Sequence, residues 1–244
     1  MQMKKIGLML SEIPFSNMPV LLKNAGLDYF ILDYEHGGFD YADMSKIIVN
    51  ARLCGLTVIV RLPNNQRKDI IKLMDMGANG LLLPMTNTAA DIACVVDYAK
   101  YRPIGKRGLS TMRAHTFYAP PPIVDYMREA NAQTKVFAQI ETAMGVDNID
   151  EILSVEGVDG IFVGPNDLSD DYGCIAEKTA PQILQAIARV GEATEKAGKT
   201  AGIITGNAAY IEKSRESGFL YYCKGSELNA IAEYCKKIVA ELKV

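Results

Sequence analysis

The sequence predicts an α/β fold in which residues 1–244 form a single (β/α)8 TIM barrel. Short apolar runs alternate about eight times with longer amphipathic stretches, which is typical of repeated βα units. Most of these runs are apolar at nearly every position, as expected for strands buried on both faces of a parallel sheet. The length is close to the roughly 250 residues of such a barrel, and no Pro-, Gly- or Ser-rich linker divides the chain into two domains.

Eight apolar segments are predicted to be the strands. They are residues 5–10, 29–33, 57–61, 80–83, 135–140, 160–163, 200–204 and 219–223. Between them, residues 40–53, 67–76, 88–101 and 181–197 have the spacing of amphipathic helices. Several predicted helices end in a glycine just before the next strand, which is typical of a left-handed helix cap. One long irregular stretch, residues 101–122, is predicted to be an active-site flap or a subunit contact.

The composition excludes several classes of protein. The formal net charge is -3, and no run of lysines or arginines indicates a surface for nucleic acid or an anionic membrane. The five cysteines are scattered and never spaced as C-x-x-C, which argues against a zinc cluster or a disulfide framework. No apolar run approaches the roughly 20 residues of a membrane span. We therefore expect a cytoplasmic protein that acts on a small molecule.

Unusual polar residues follow the predicted strands rather than precede them. In a β/α barrel such positions converge on the carboxyl-terminal rim, where active sites are built. His36 is one of two histidines and stands beside a carboxylate, so it is either a general base or a structural residue. Arg61 ends an apolar strand and could form a structural ion pair or clamp a carboxylate or carbonyl group.

Two carboxylates, Glu141 and Asp167, end consecutive predicted strands and could face a common point. Two anions in one place are costly unless a cation lies between them, so a divalent metal is the simplest account of the pair. Mg²⁺, Mn²⁺ or Co²⁺ would suit two such ligands, whereas a closed zinc site would not. The alternative is that both residues are ordinary helix N-caps. Residues 164–167 could also present backbone N–H groups to a substrate carboxylate, or form a simple turn.

The ordered set of these motifs resembles the HpcH/HpaI family of class II pyruvate aldolases over nearly the whole chain. The matching segments are DYEH at 33–36, VR at 60–61, GLLLPM at 80–85, YRPIGKRG at 101–108, QIET at 139–142 and GVDGIFVGPNDLS at 157–169. The resemblance implies a barrel of the phosphoenolpyruvate/pyruvate-binding type. It also implies cleavage of a 4-hydroxy-2-oxo acid to pyruvate and an aldehyde with the help of a divalent metal.

The resemblance assigns roles to individual residues. Glu141 and Asp167 match the metal ligands, His36 matches the base at the C4 hydroxyl group, and Arg61 matches the group that contacts the keto oxygen. Asp33 and Asp75 match acids that orient the histidine. Substrate contacts are matched by Gln139 and by the backbone at Asn166 and Asp167. Family members are commonly hexamers whose C-terminal helix packs on a neighbour, so a homo-oligomer is implied.

Two positions depart from the family pattern. Tyr34 stands beside His36 where glycine or threonine is usual, and we expect it to alter or narrow the aldehyde side of the pocket. Lys224 directly follows the last predicted strand, at a position where the family is usually apolar, and it is either an interface or rim lysine or a catalytic residue. Two alternatives to a metal-dependent aldolase follow: a Schiff-base aldolase that uses Lys224, and a catalytically silent relative that binds a keto acid.

Overall fold

The computed structural model describes residues 3–177 and 179–243, and its eight parallel strands form a closed barrel in sequence order. The predicted (β/α)8 fold is confirmed. The strands are β1 Lys5–Leu10, β2 Tyr29–Asp33, β3 Thr57–Arg61, β4 Gly80–Leu83, β5 Lys135–Ile140, β6 Gly160–Val163, β7 Thr200–Ile204 and β8 Tyr221–Ser226. The first seven have the predicted bounds. The eighth is displaced toward the C-terminus because it ends in the polar sequence Lys-Gly-Ser, which a search for apolar runs does not include.

Helices follow each strand and cover the barrel. They are α1 Met18–Asn24, α2 Tyr41–Cys54, α3 Arg67–Met76, α4 Ala89–Ala99, a 3-10 turn at Ala114–Thr116, α5 Ile123–Gln133, α6 Ala143–Asp147, α7 Ile149–Ser154, α8 Pro165–Asp171, α9 Pro181–Lys196, α10 Ala208–Glu216 and α11 Glu227–Leu242. Local sequence sets several of their starts: Asp40 accepts a hydrogen bond from the Asp43 N–H, and Thr88 forms a capping box with Asp91. Among the described residues, every helix is too short or too polar to span a bilayer.

The barrel interior is apolar in its lower part and polar at its carboxyl end. Alternate residues of a strand face the same side, so β2 directs Tyr29, Ile31 and Asp33 inward in that order. The same alternation continues the inward row from Ile59 to Arg61 on β3. Each of these strands therefore contributes apolar packing first and a functional side chain last.

Large aromatic rings fill the apolar part of the interior. Phe137 and Phe162 meet edge to face with ring centroids 5.2 Å apart, and Tyr29 packs on Tyr221 at 5.2 Å. Glycines on the strands make room for them. A Cβ atom at Gly7 would lie 2.5 Å from the Tyr29 ring, so a larger residue there would displace the ring.

The irregular segment 101–122 packs at the amino-terminal end of the barrel. Its Arg107 donates to Asp75, near the end of α3, at 3.0 Å, and its Ala114 carbonyl accepts from Arg52, near the end of α2, at 3.1 Å. Helices that return from the carboxyl ends of the strands finish at the opposite end of the barrel. The prediction of an active-site flap is therefore wrong within one chain, and a subunit contact stays a prediction.

Candidate active site

Arg61 lies at the centre of an ion-pair network at the carboxyl end of the barrel. Asp33 and Arg61 are partners in the register of β2 and β3, so their side chains meet. The guanidinium donates to both Asp33 oxygens, at 2.9 and 2.6 Å, and its Nη1 lies 3.1 Å from Glu35 Oε2. Asp33 and Arg61 are both buried. The network holds the guanidinium in a fixed orientation at the end of its strand.

Asp33 also shapes the loop that carries His36. Its Oδ1 accepts from the backbone N–H groups of Glu35, at 3.1 Å, and His36, at 3.3 Å. The imidazole ring is mostly exposed, with 74% of the side-chain surface accessible, and its Nε2 lies 3.8 Å from Glu35 Oε2. Asp33 therefore orders the backbone at His36, while the acid nearest to the ring is Glu35.

Glu141 is a buried carboxylate directly after β5. Its Oε2 accepts from the Met85 N–H at 2.9 Å, and its Oε1 accepts from Gln139 Nε2 at 2.7 Å. Burial raises the pKa of Glu141 to about 8; the Met85 hydrogen bond lowers it, and the charge of Asp167 raises it further. The buried Glu141 and the nearby Asp167 therefore bring two acidic groups to the same site.

Asp167 lies in the first turn of α8, exposed to solvent, and Asn166 precedes it. A Cβ atom at Gly164 would lie 2.4 Å from Glu141 Oε1, so a larger residue there would displace the Glu141 side chain. The residues at the N-caps are Thr142 for α6 and Gly164 for α8. The alternative that Glu141 and Asp167 serve as N-caps is therefore wrong.

The residues at this point fit a divalent cation. Gln139 uses its amide nitrogen on Glu141, and its Oε1 is buried with no hydrogen-bond partner. An unpaired buried oxygen next to the Glu141 carboxylate leaves a polar atom that water, substrate or a hard cation would satisfy. Within residues 3–177 and 179–243 no cluster of three or more Asp, Glu, His or Cys side chains could hold a metal. A cation here would take Glu141 and Asp167 as its protein ligands and complete its coordination with water and substrate.

Asp75 is not brought to His36 within this chain. It lies near the end of α3, where it contacts Arg107 at 3.0 Å and His115 Nε2 at 3.9 Å. His36 follows β2, at the opposite end of the barrel. The implied contact is not made because a helix that follows a strand returns to the amino-terminal end before it finishes.

Tyr34 does not narrow the pocket. Its ring packs on Tyr41 of α2 with centroids 5.7 Å apart, as part of the layer between strands and helices. The expectation that it alters the aldehyde side is wrong because successive residues after a strand point in different directions, and Tyr34 points toward the helices.

Two contributors to the site were not identified from the sequence. Glu35 is the carboxylate noted beside His36 in the sequence, but it was given no role of its own there. The Met85 N–H is a backbone group, presented from a left-handed conformation with φ of 48°. No side-chain pattern indicates such a donor.

Comparison with known proteins identifies the family of this chain. The model of the HpcH/HpaI aldolase/citrate lyase family matches residues 16–233. Two curated relatives are a hydroxypyruvate/pyruvate aldolase of Rhizorhabdus wittichii, 31% identical over 90% of this chain and 87% of that protein, and a 5-keto-4-deoxy-D-glucarate aldolase of Klebsiella pneumoniae, 31% identical over 90% and 85%. The crystal structure of an HpcH/HpaI aldolase from Desulfitobacterium hafniense matches 99% of this chain and 93% of that one, with a TM-score of 0.93 and 30% identity. These relatives support a lyase activity, and the chain belongs to the HpcH/HpaI aldolase/citrate lyase family.

Proposed function

We propose that this protein is a class II, metal-dependent aldolase that reversibly cleaves a 4-hydroxy-2-oxo acid to pyruvate and an aldehyde. The observation that carries the proposal is the pairing of Glu141 and Asp167 beside the unpartnered Gln139 oxygen, next to the fixed guanidinium of Arg61. Two of the relatives are named as aldolases, and one of those names includes pyruvate.

Glu141 and Asp167 would hold the cation, for which Mg²⁺, Mn²⁺ and Co²⁺ are the candidates. When bound, the ion supplies a Lewis acid for the keto group of the substrate. Arg61 contacts the keto oxygen and stabilises the negative charge that develops there as the carbon–carbon bond breaks. Asp33 and Glu35 position Arg61. Asp33 accepts hydrogen bonds from the guanidinium, and Glu35 Oε2 lies 3.1 Å from its Nη1.

The substrate carboxylate lies against the start of α8. There Asn166 and Asp167 carry backbone N–H groups that precede the regular hydrogen bonding of the helix. Gln139 contributes a further polar contact from β5. These groups orient the keto acid without changing its charge.

His36 is the proposed base. In the cleavage direction it removes the proton from the C4 hydroxyl group, directly or through a water molecule, and in synthesis its protonated form returns that proton to the aldehyde oxygen. Its exposed ring at the rim has the access that this proton transfer needs. Glu35 Oε2 lies 3.8 Å from Nε2 of the ring.

We also propose that the protein assembles as a homo-oligomer, with a hexamer expected from the family resemblance. An apolar stripe on α11 supports this, because its members are exposed in the single chain: Leu228, Ile231, Tyr234, Ile238, Val239 and Leu242. Light scattering measures the mass of the assembly, and a monomer at micromolar concentration would contradict the proposal.

The test is the condensation of pyruvate with a panel of aldehydes under Mg²⁺, Mn²⁺ and Co²⁺. We expect turnover that a chelator abolishes and added metal restores. Activity that resists the chelator, together with an adduct trapped by borohydride on Lys224, would indicate a Schiff-base enzyme. Binding of pyruvate without exchange of its methyl protons with solvent would indicate a catalytically silent relative.

A further inference from the structure

Glu227 is a buried carboxylate that the proposed mechanism does not use. It lies in the first turn of α11, and 4% of its surface is exposed. Its Oε1 accepts from three successive backbone N–H groups in the loop after β1: those of Ser11 at 2.9 Å, Glu12 at 2.7 Å and Ile13 at 3.2 Å. Successive N–H groups of this kind form a concave nest that binds an anion. The anion here is a side chain 216 residues from Ser11 in the sequence.

The loop after β1 depends on this carboxylate for its position. Glu12, Pro14 and Phe15 are exposed, so little of the loop is held by packing. Hydrogen bonds that end on a charged acceptor are stronger than bonds between neutral groups. Glu227 therefore anchors the loop to the start of α11.

The anchored loop contacts the loop that carries His36. The Ser11 carbonyl oxygen accepts from the Gly38 N–H at 2.9 Å. A Cβ atom at Gly37 would lie 2.8 Å from the same oxygen and 2.1 Å from the Asp33 carbonyl oxygen, so the two loops pack without room for a side chain there. A displacement of Ser11 would therefore shift the residues that directly follow His36.

We propose that Glu227 is a positioning residue for the proton transfer at His36. It acts through Ser11, which holds the backbone after His36, while Asp33 holds the His36 N–H itself at 3.3 Å. This inference rests on the proposed function, in which His36 is the base. A base must lie within hydrogen-bond reach of the proton that it removes, and a misplacement of about 1 Å can cost about a hundredfold in rate.

The other groups of the proposed site are held by other parts of the barrel. Glu141 follows β5, and Asp167 lies on α8. Arg61 ends β3 and donates to both oxygens of Asp33. Loss of Glu227 should therefore impair the proton transfer more than it impairs the binding of metal or keto acid.

The first measurement is kcat for the condensation of pyruvate with the most active aldehyde of the panel under Mn²⁺. We expect Glu227→Ala to lower kcat about tenfold, with little change in KM for pyruvate or in the affinity for Mn²⁺. In a His36→Gln background the same substitution should lower kcat less than about twofold, because residues that act as a unit have non-additive effects. Glu227→Gln keeps an oxygen that accepts the same N–H groups, so it should retain most of the kcat.

The second measurement is hydrogen exchange followed by mass spectrometry, which does not depend on turnover. Peptides that cover residues 33–38 should exchange faster in Glu227→Ala, since local exchange reports the opening of backbone hydrogen bonds. The matched control is Asp28→Ala. Asp28 accepts from the Ile6 N–H at 2.9 Å and so anchors the opposite end of β1. Its loss should leave both kcat and the exchange of residues 33–38 unchanged.

The outcomes separate this inference from the proposed function. Unchanged exchange of residues 33–38 in Glu227→Ala would overturn the inference, and so would equal losses of kcat in the wild-type and His36→Gln backgrounds. If Glu227→Ala did not fold, Glu227→Asp, whose carboxylate is one methylene shorter, would give the same two tests. Failure of the wild-type enzyme to condense pyruvate with any aldehyde would overturn the proposed function and, with it, the catalytic meaning of any faster exchange.

Discussion

The two ends of the barrel each carry a histidine, an arginine and acidic residues, yet they differ in how these groups are satisfied. At the carboxyl end, Glu141 and Asp167 lie near each other, and Arg61 is already bonded to Asp33. At the amino-terminal end, Arg107 pairs with Asp75 and stacks on the Tyr101 ring, with 4.9 Å between guanidinium and ring centre. The first group has more negative charge than its partners compensate, whereas the second is an ion pair with matched charges.

The two histidines show the same difference. His115 is buried, with its Nε2 3.0 Å from the Ser110 carbonyl and its Nδ1 bonded to the Tyr126 hydroxyl group. His36 is exposed, and Glu35 Oε2 lies 3.8 Å from its Nε2. A histidine with both nitrogens satisfied in the interior stabilises the fold, and one with a free ring at a rim is able to transfer protons. Residue type alone therefore does not identify a site, since the two histidines differ in exposure and in hydrogen bonding.

The largest expected effect is at Glu141. Glu141→Gln keeps the shape of the side chain but removes a metal-binding charge, so we expect metal-dependent turnover to fall on the order of a thousandfold, or about 4 kcal/mol. Calorimetric titration with Mn²⁺ should show weaker binding. Glu129→Gln, at the cavity of the amino-terminal end, is the matched control. Unchanged Mn²⁺ affinity in Glu141→Gln and in Asp167→Asn would refute the ligand assignment.

His36→Gln is expected to lower kcat about a hundredfold, because the proton transfer at the C4 oxygen loses its base. Binding of pyruvate, measured by calorimetry, should change much less. His115→Gln is the paired variant and should affect stability more than turnover. Equal losses of turnover in His36→Gln and His115→Gln, at equal stability, would contradict the assignment of a catalytic role to His36 and a structural role to His115.

Arg107→Met should destabilise the protein by about 2 kcal/mol, since it removes a buried cation from its carboxylate and its aromatic partner. Urea unfolding measures this loss, and kcat per folded protein should change little. Asp75→Asn sharpens the comparison. A large loss of kcat in Asp75→Asn without loss of stability would show that Asp75 reaches His36 of another copy, as the family resemblance implies for its role.

The smallest effect is on the pH dependence of stability. Burial lowers the pKa of His115 below its usual 6.5; the Ser110 hydrogen bond opposes this, and the charge of Arg107 adds to it. The unfolded chain therefore binds more protons than the folded one as the pH falls through 6.5, so the free energy of unfolding decreases in that direction. The slope from one group stays below about 1.4 kcal/mol per pH unit. His115→Gln should reduce this slope between pH 7 and 5, whereas an unchanged slope would mean that other groups cause it.

Much of the architecture could be predicted because strands buried on both faces leave continuous apolar runs. The bounds of β1 to β7 follow from those runs. β8 did not follow this rule, since its last three residues, at 224–226, are selected by a bulge and a helix cap rather than by burial. The position of the polar residues at the strand ends was also predictable. Their clustering follows from the barrel, in which all parallel strands end at one rim.

The sequence by itself determined the barrel and the rim on which the polar residues meet. These depend on hydrophobic periodicity and on the direction of parallel strands, which are local or topological properties. Only the tertiary structure decided which groups meet: that Asp75 belongs to Arg107, that Tyr34 packs on α2, and that Glu227 binds the loop after β1. Pairing of this kind depends on distances between elements far apart in the chain, and neither spacing nor residue type encodes those distances.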